Sequence, residues 1–255
     1  MHTQDGGHIA SAVVALAQRD YQTAGNHYSR AAWSVLTEPR AGQDPFAPDE
    51  RGYVGVSLQY LLTSAICYRV AGRSARATHR GVEAVAIASD LTNALKEPAQ
   101  QACLEELRAD CRVAGGLDGA ASAYDTAADA YRAAGDGIEN PHRWATSPLF
   151  EAAATPIKQV ARSLANGEIA IKWEDLHGAD PSACGDFLAH RATYKRQRFS
   201  GLVERVVDEG FLAAPRGTTE YATDHHRCPH CGSTDVNWVA ESVLCLRCSR
   251  PTEPV

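Results

Sequence analysis

Apolar residues recur along most of this chain at the three- and four-residue steps of an α-helix. Val54, Leu58, Leu61, Ala65 and Tyr68 are spaced by 4, 3, 4 and 3, which puts five side chains on one helical face. β-branched residues are too sparse there for a strand. "IASAVVALA", from Ile9, predicts a first amphipathic helix. From Leu149 to about Leu164 the pattern is again helical, with Ile157, Val160, Ala161 and Leu164 on one side. Phe199, Leu202, Val203, Val206 and Val207 form the stripe of a later helix. Gly210 is placed to end that helix in a left-handed conformation, and Phe211 to pack back on its last turn. The period then shortens. "FLAAPRGTTEY" reads as two short strands around a Pro-Arg-Gly turn, and "VNWVAESVLC" as two strands with a polar turn. The expectation is a mainly α protein that ends in a small β module.

Three segments share a skeleton: "RDYQTAGNHYSRAA" from Arg19, "GRSARATHRGVEA" from Gly72 and "GGLDGAASAYDTA" from Gly115. Aligned, they superpose Ala24, Ala77 and Ala120, then Tyr28, Gly81 and Tyr124, then Ala31, Ala84 and Ala127. The i, i+4, i+7 spacing marks one face, on which alanine lets two helices approach closely. This small–aromatic–alanine pattern resembles the second half of a tetratricopeptide repeat, over about residues 8–135. The resemblance implies a helical-repeat array, assigned to 8–140, that presents a groove to partner proteins. Gly81 departs from the pattern where an aromatic is expected. The intervals of 53 and 43 residues exceed the usual repeat of about 34, so the array is closer to the soluble NSF-attachment-protein type. A plain helical bundle would also give the same packing positions.

Two stretches break the array. "TEPRAGQDPFAPDERG" (Thr37 to Gly52) contains three prolines and cannot be continuous helix. Its length predicts a binding or mobile loop. "GDGIENPHRWATSP" (Gly135 to Pro148) closes or bends the array. Beyond it, "GEIAIKWEDL" is short and mixed. "DPSACGDFLAHRATYKRQRF" predicts a helix capped by Asp180, with Pro181 in its first turn. Helix, short strand, helices and hairpin is the order of a winged helix, which residues 149–222 resemble. That resemblance implies nucleic-acid contact through a basic helix and a wing. Arg191, Lys195 and Arg198 fall at i, i+4, i+7, and Arg216 would sit on the wing. A solvated helix face, or a winged helix used to dock proteins, accounts for the same charges.

The net charge of −6 argues against a whole-surface nucleic-acid or membrane binder. It is unevenly spread: residues 1–184 carry 16 basic and 22 acidic side chains, and residues 185–216 carry 6 and 4. Lysine is confined to Lys96, Lys158, Lys172 and Lys195. With abundant alanine, this suggests a GC-rich prokaryotic genome. No basic residue precedes the first apolar run, so it does not read as a secretory signal. No apolar run approaches the roughly 20 residues that span a bilayer. A cytoplasmic protein with no membrane partner is expected, and there clustered cysteines indicate metal rather than disulfides.

Such a cluster lies in "HHRCPHCGSTDVNWVAESVLCLRCSRP", which holds half of the eight cysteines. Cys228-x2-Cys231 and Cys245-x2-Cys248 are separated by thirteen residues. Each Cys-x2-Cys turn brings two sulfurs to one side, so two turns supply the four soft ligands of tetrahedral Zn²⁺. "CPHCGS" resembles a zinc knuckle, and "CLRCS" repeats it with Ser249 where glycine is commoner. Residues 225–255 thus look like a zinc ribbon with one structural zinc. Iron in rubredoxin-like geometry and a redox pair are the chemical alternatives. His225, His226 and His230 read as neighbours, because four thiolates already fill a structural site. Cys67, Cys103, Cys111 and Cys184 are isolated and carry no assigned chemistry.

No catalytic motif stands out. "VAGGLDGAA" lacks the Lys-Ser/Thr end of a phosphate loop, and neither His-Glu-x2-His nor Gly-x-Ser-x-Gly occurs. Acidic pairs such as Glu105–Glu106 and Asp208–Glu209 are expected on helix exteriors. The sequence therefore predicts a non-enzymatic adaptor that binds proteins through its helical body and zinc ribbon. A DNA- or RNA-binding regulator is the alternative. Burial of the Arg191/Lys195/Arg198 face would favour the adaptor, and its exposure nucleic acid.

Overall fold

The computed structural model describes residues 7–37 and 52–255. The Thr37–Gly52 loop thus lies, between its end residues, outside the described part. Among the described residues six helices come first: α1 (His8–Ala17), α2 (Tyr21–Thr37), α3 (Gly52–Val70), α4 (Ser74–Ala94), α5 (Pro98–Gly115) and α6 (Ala120–Ala134). A 3-10 turn at Gly135–Gly137 and the short α7 (Pro141–Ala145) lead into α8 (Pro148–Ser163) and α9 (Cys184–Asp208). Among the described residues no helix is long and apolar enough to cross a membrane.

Successive helices from α1 to α6 pack against one another. The aligned alanines and aromatics are where they touch. Ala24, Ala31, Ala77, Ala84 and Ala127 are fully buried, Tyr28 and Tyr124 nearly so, and Ala120 is half-buried. Gly81 breaks the pattern for a steric reason. A Cβ built there would lie 2.7 Å from the Gly115 Cα, so α4 and α5 meet backbone to backbone. An aromatic has no room at that point.

The helices are not equally buried. Of 18 residues in α5, 13 are buried, whereas in the 21-residue α4 only Ala77, Gly81, Ala84 and Ala88 are. The cause is α8, which packs chiefly on α3, and α9, which packs chiefly on α6; both also meet α5. Part of the α3 and α5 surface expected to line an open groove is therefore taken by the chain's own later helices. Hydrophobic burial continues without a break from Val13 through Leu107 to Phe199 and Val206.

Residues 149–222 do not form the order of elements expected of a winged helix. "GEIAIKWEDL" is turns and bends rather than strand. The two helices expected around Phe199 are one 25-residue helix, α9. Asp180 does accept from the Ser182 amide at 2.9 Å, but the helix starts later, at Cys184. Gly210 ends it as expected, with φ 63° and with Phe211 N–H donating to the Val206 carbonyl at 3.1 Å. The following residues make no hairpin. Instead residues 212–214 run buried between the helices and the C-terminal module, and side chains satisfy their backbone. The amides of Leu212, Ala213 and Ala214 donate to the hydroxyls of Tyr21, Ser163 and Ser249 at 3.2, 2.9 and 3.1 Å. Gln159 donates to the Ala213 carbonyl at 2.8 Å.

Strand β1 (Thr218–Glu220) then joins β3 (Val236–Val239), which pairs with β4 (Ser242–Cys245); β2 (His226–Arg227) pairs with β5 (Glu253–Pro254). All three pairings are antiparallel, and Thr218 lies opposite Trp238. The strand expected in the wing is thus the edge of the cysteine module's own sheet.

Candidate metal centre

Both Cys-x2-Cys turns have the same backbone. Gly232 N–H donates to the Cys228 carbonyl and Ser249 N–H to the Cys245 carbonyl, each at 2.9 Å. Cys228 N–H donates to Ser233 at 2.9 Å, and Cys245 N–H to Arg250 at 2.7 Å. This pairing requires a left-handed residue directly after each second cysteine. Gly232 takes φ 76° freely, whereas Ser249 takes φ 54° at the cost of its Cβ. The serine hydroxyl compensates by holding the buried Ala214 amide.

The turns face each other across the β3–β4 hairpin. The Sγ atoms of Cys228 and Cys248 lie 3.6 Å apart and those of Cys231 and Cys245 3.5 Å. All four sulfurs fall within 4.8 Å of one another. A tetrahedron with metal–sulfur bonds of about 2.3 Å has sulfur–sulfur edges of about 3.8 Å. The four cysteines therefore stand close enough to hold one metal ion. Cys228 and Cys245 are buried and Cys231 is exposed. His226, two residues before Cys228, has its ring edge-on to Trp238, 5.3 Å between centroids, and its Nδ1 3.3 Å from the Thr252 hydroxyl. His225 and His230 are exposed.

The module is fastened to the helices. Arg19 donates to the Cys248 carbonyl at 2.7 Å and lies 3.9 Å above the Phe211 ring. Arg247 pairs with Asp235 at 2.6 Å and also with Glu168. At Gly167, φ 82°, a Cβ would collide with the Leu246 carbonyl, so the loop after α8 lies directly on the module.

The basic stripe on α9 is not a surface feature. Arg191 is 2% exposed and Lys195 0%; Arg198 alone of the three is exposed, stacked on Tyr194 at 5.0 Å. Arg191 grips Glu106 with two nitrogens, Nε at 2.7 Å and an Nη at 2.9 Å, and donates to the Phe150 carbonyl at 3.0 Å. Lys195 reaches Glu106 at 2.7 Å, Asp110 at 2.5 Å and the Ala153 carbonyl at 2.6 Å. These three acceptors match the three ammonium protons. Tyr131 donates to Glu106 at 2.8 Å and Tyr124 to Asp110 at 2.6 Å. Burial by itself would raise the Glu106 carboxyl, but Arg191 and Lys195 outweigh it and hold the group at about 2. Burial prevails at Asp110 and pushes it up to about 6, against the pull of Lys195. Glu106 was expected on a helix exterior and is instead fully buried; Glu105 beside it pairs with Arg108 at 2.6 Å. The missed signal is complementary spacing: carboxylates at 106 and 110 match cations at 191 and 195, both pairs at i, i+4.

Arg216 is half-buried and holds the Gly167 carbonyl at 3.3 Å and the Thr219 hydroxyl at 3.0 Å. Cys67, Cys103 and Cys111 are buried, and burial raises the Cys103 thiol to about 12. No family model, curated protein or solved structure matches the chain.

Proposed function

We propose that the chain is a non-enzymatic, cytoplasmic adaptor. In this reading its C-terminal module holds one structural zinc and, with the helical body, binds a protein partner. The cysteine site carries the proposal. Four thiolates complete a tetrahedron and leave no position for water or substrate, which suits architecture rather than hydrolysis. Zinc is preferred because paired Cys-x2-Cys turns match its ligand softness and geometry. The buried charges point the same way. Arg191 and Lys195 spend their donors inside the bundle, and so are lost to phosphate contacts. With α8 and α9 covering α3 and α5, the partner surface lies elsewhere. Trp238, 41% exposed on the module's sheet, and Tyr221, which follows β1, suit a protein contact.

The test is capture of partners from the native organism by the immobilised, metal-loaded chain, with and without nuclease. Nuclease-resistant capture that falls on Trp238→Ala is expected. Random duplex at low salt, where electrostatic attraction is least screened, should not bind. Tight duplex binding, or capture abolished by nuclease, would replace the adaptor by the nucleic-acid reading.

A further inference from the structure

A cavity of about 680 Å³ lies between α8, the 169–174 segment and residues 215–216. It is separate from the cysteine site, and its lining is unbalanced in charge. Lys158, Arg162, Lys172 and Arg216 contribute four cations, and Glu174 the one carboxylate among its lining residues. The innermost cation is Arg162, 3% exposed. It donates to the Ala214 carbonyl, but its Nη1 is enclosed with no hydrogen-bond partner. No described carboxylate pairs with it. The contrast with Arg191 is direct: that guanidinium, equally buried, is met by a carboxylate, a carbonyl and a phenol. Burial, with Arg216 nearby adding repulsion, pulls the Arg162 guanidinium down to about 10.

Apart from Thr155 and Gln159, the rest of the wall is apolar. Ile169 is largely exposed and Ile171 buried, and Trp173 and Pro215 also line the cavity. Trp173 is a fixed platform, since His177 stacks on it with 3.8 Å between centroids and is itself stacked on Phe187. A buried, uncompensated cation costs several kcal/mol unless an opposite charge is supplied. Its apolar side chains reward a hydrophobic body.

We infer that this cavity binds a small organic anion, with a phosphate or carboxylate held by Arg162, Lys158 and Arg216, and an apolar or aromatic body against Ile169, Ile171 and Trp173. The ligand completes the charge balance that the chain leaves open. Because Arg162 and Gln159 also hold the 213–214 linker, occupation bears directly on the segment that ties the cysteine module to the helices.

The experiment is calorimetric titration of the metal-loaded full chain with phenyl phosphate and benzoate. Inorganic phosphate and benzyl alcohol provide the charge-only and body-only arms. At least one aromatic anion is expected to bind one-to-one, and more tightly than either control. Lys158→Gln and Arg216→Gln, at positions open to solvent in part, should each weaken it about tenfold, the loss expected for a charge-assisted contact. Arg162→Gln should weaken it more, with folding checked by its thermal transition. Arg198→Gln should leave it unchanged. Mass spectrometry of the denatured supernatant checks for an anion carried through purification, and a stoichiometric one would support the site. With none carried over, failure of both aromatic anions to bind would overturn the inference. So would benzyl alcohol binding equally well, or affinity indifferent to both Lys158→Gln and Arg216→Gln. None of these outcomes depends on the adaptor reading.

Discussion

Two small residues show how local chemistry decides where helices and turns can go. Gly81 occupies a position where the aligned segments carry tyrosine, and its missing Cβ is what lets α4 reach α5. Gly201 is also helical, but a Cβ there would meet nothing within 4 Å. The same substitution should therefore have opposite signs at the two sites. Gly81→Ala drives a methyl into the Gly115 backbone and should destabilise by about 1–3 kcal/mol. Gly201→Ala removes a flexible residue from an exposed helix interior and should stabilise by about 0.5–1 kcal/mol. Urea unfolding midpoints measure both, and equal shifts would contradict the close helix contact. Ser249 is the complementary case, a residue with a Cβ in a left-handed turn, retained because its hydroxyl caps Ala214. In the sequence both positions were visible as departures from a pattern. Their reasons were not, because each depends on a residue distant in the chain.

At the scale of elements, periodicity located the helices but not which faces meet. The stripe of Phe199, Val203 and Val206 is buried as its spacing implies, and Gly210 stops α9 where expected. The basic stripe of α9 misled because spacing places side chains on a face without saying what covers it. Here α5 covers it with carboxylates at the same spacing, and an ion network takes the place of a solvated surface. The two outer members of that stripe should accordingly behave differently. Arg191→Met leaves Glu106 short of its bidentate partner inside the bundle, and should destabilise by about 3–5 kcal/mol. Arg198→Ala, at a solvent-exposed position, should change stability by no more than about 0.5 kcal/mol. Chemical denaturation of the two variants checks this, and a mild effect at both would mean that the network contributes little. Neither the segment 165–183 nor the linker 211–217 was legible as structure. Both are held by contacts with distant residues such as Asn237, Ser163 and Leu246 rather than by any period of their own.

The whole molecule joins a large helical core to a module with almost no core of its own. The four cysteines were fully legible, since the metal-binding spacing is local to two short turns. What the sequence could not show is how the module is attached. It takes its edge strand from residues 218–220, and it is pinned by Arg19, Ser249 and Arg247. Leu244 reaches the shared hydrophobic core and Val239 and Ala240 pack against it, but the cluster is otherwise built from the helices, their connections and the linker. Metal removal should therefore act on one end of the chain. Without a central ion, four clustered thiols and two short sheets have too little burial to remain ordered. Elemental analysis of the purified chain should give about one zinc per molecule. Chelation, or Cys231→Ser at the most exposed ligand, should then release hydrogen-exchange protection over residues 225–250 and in β1, whose sheet partner is β3. Helices α2 to α6, with α8 and α9, should keep theirs, because the ion network and its surrounding apolar contacts contain no part of the module. Full protection in metal-free protein would show that the module folds without an ion. Loss of protection throughout the helices would show that it is a keystone of the bundle rather than an appendage.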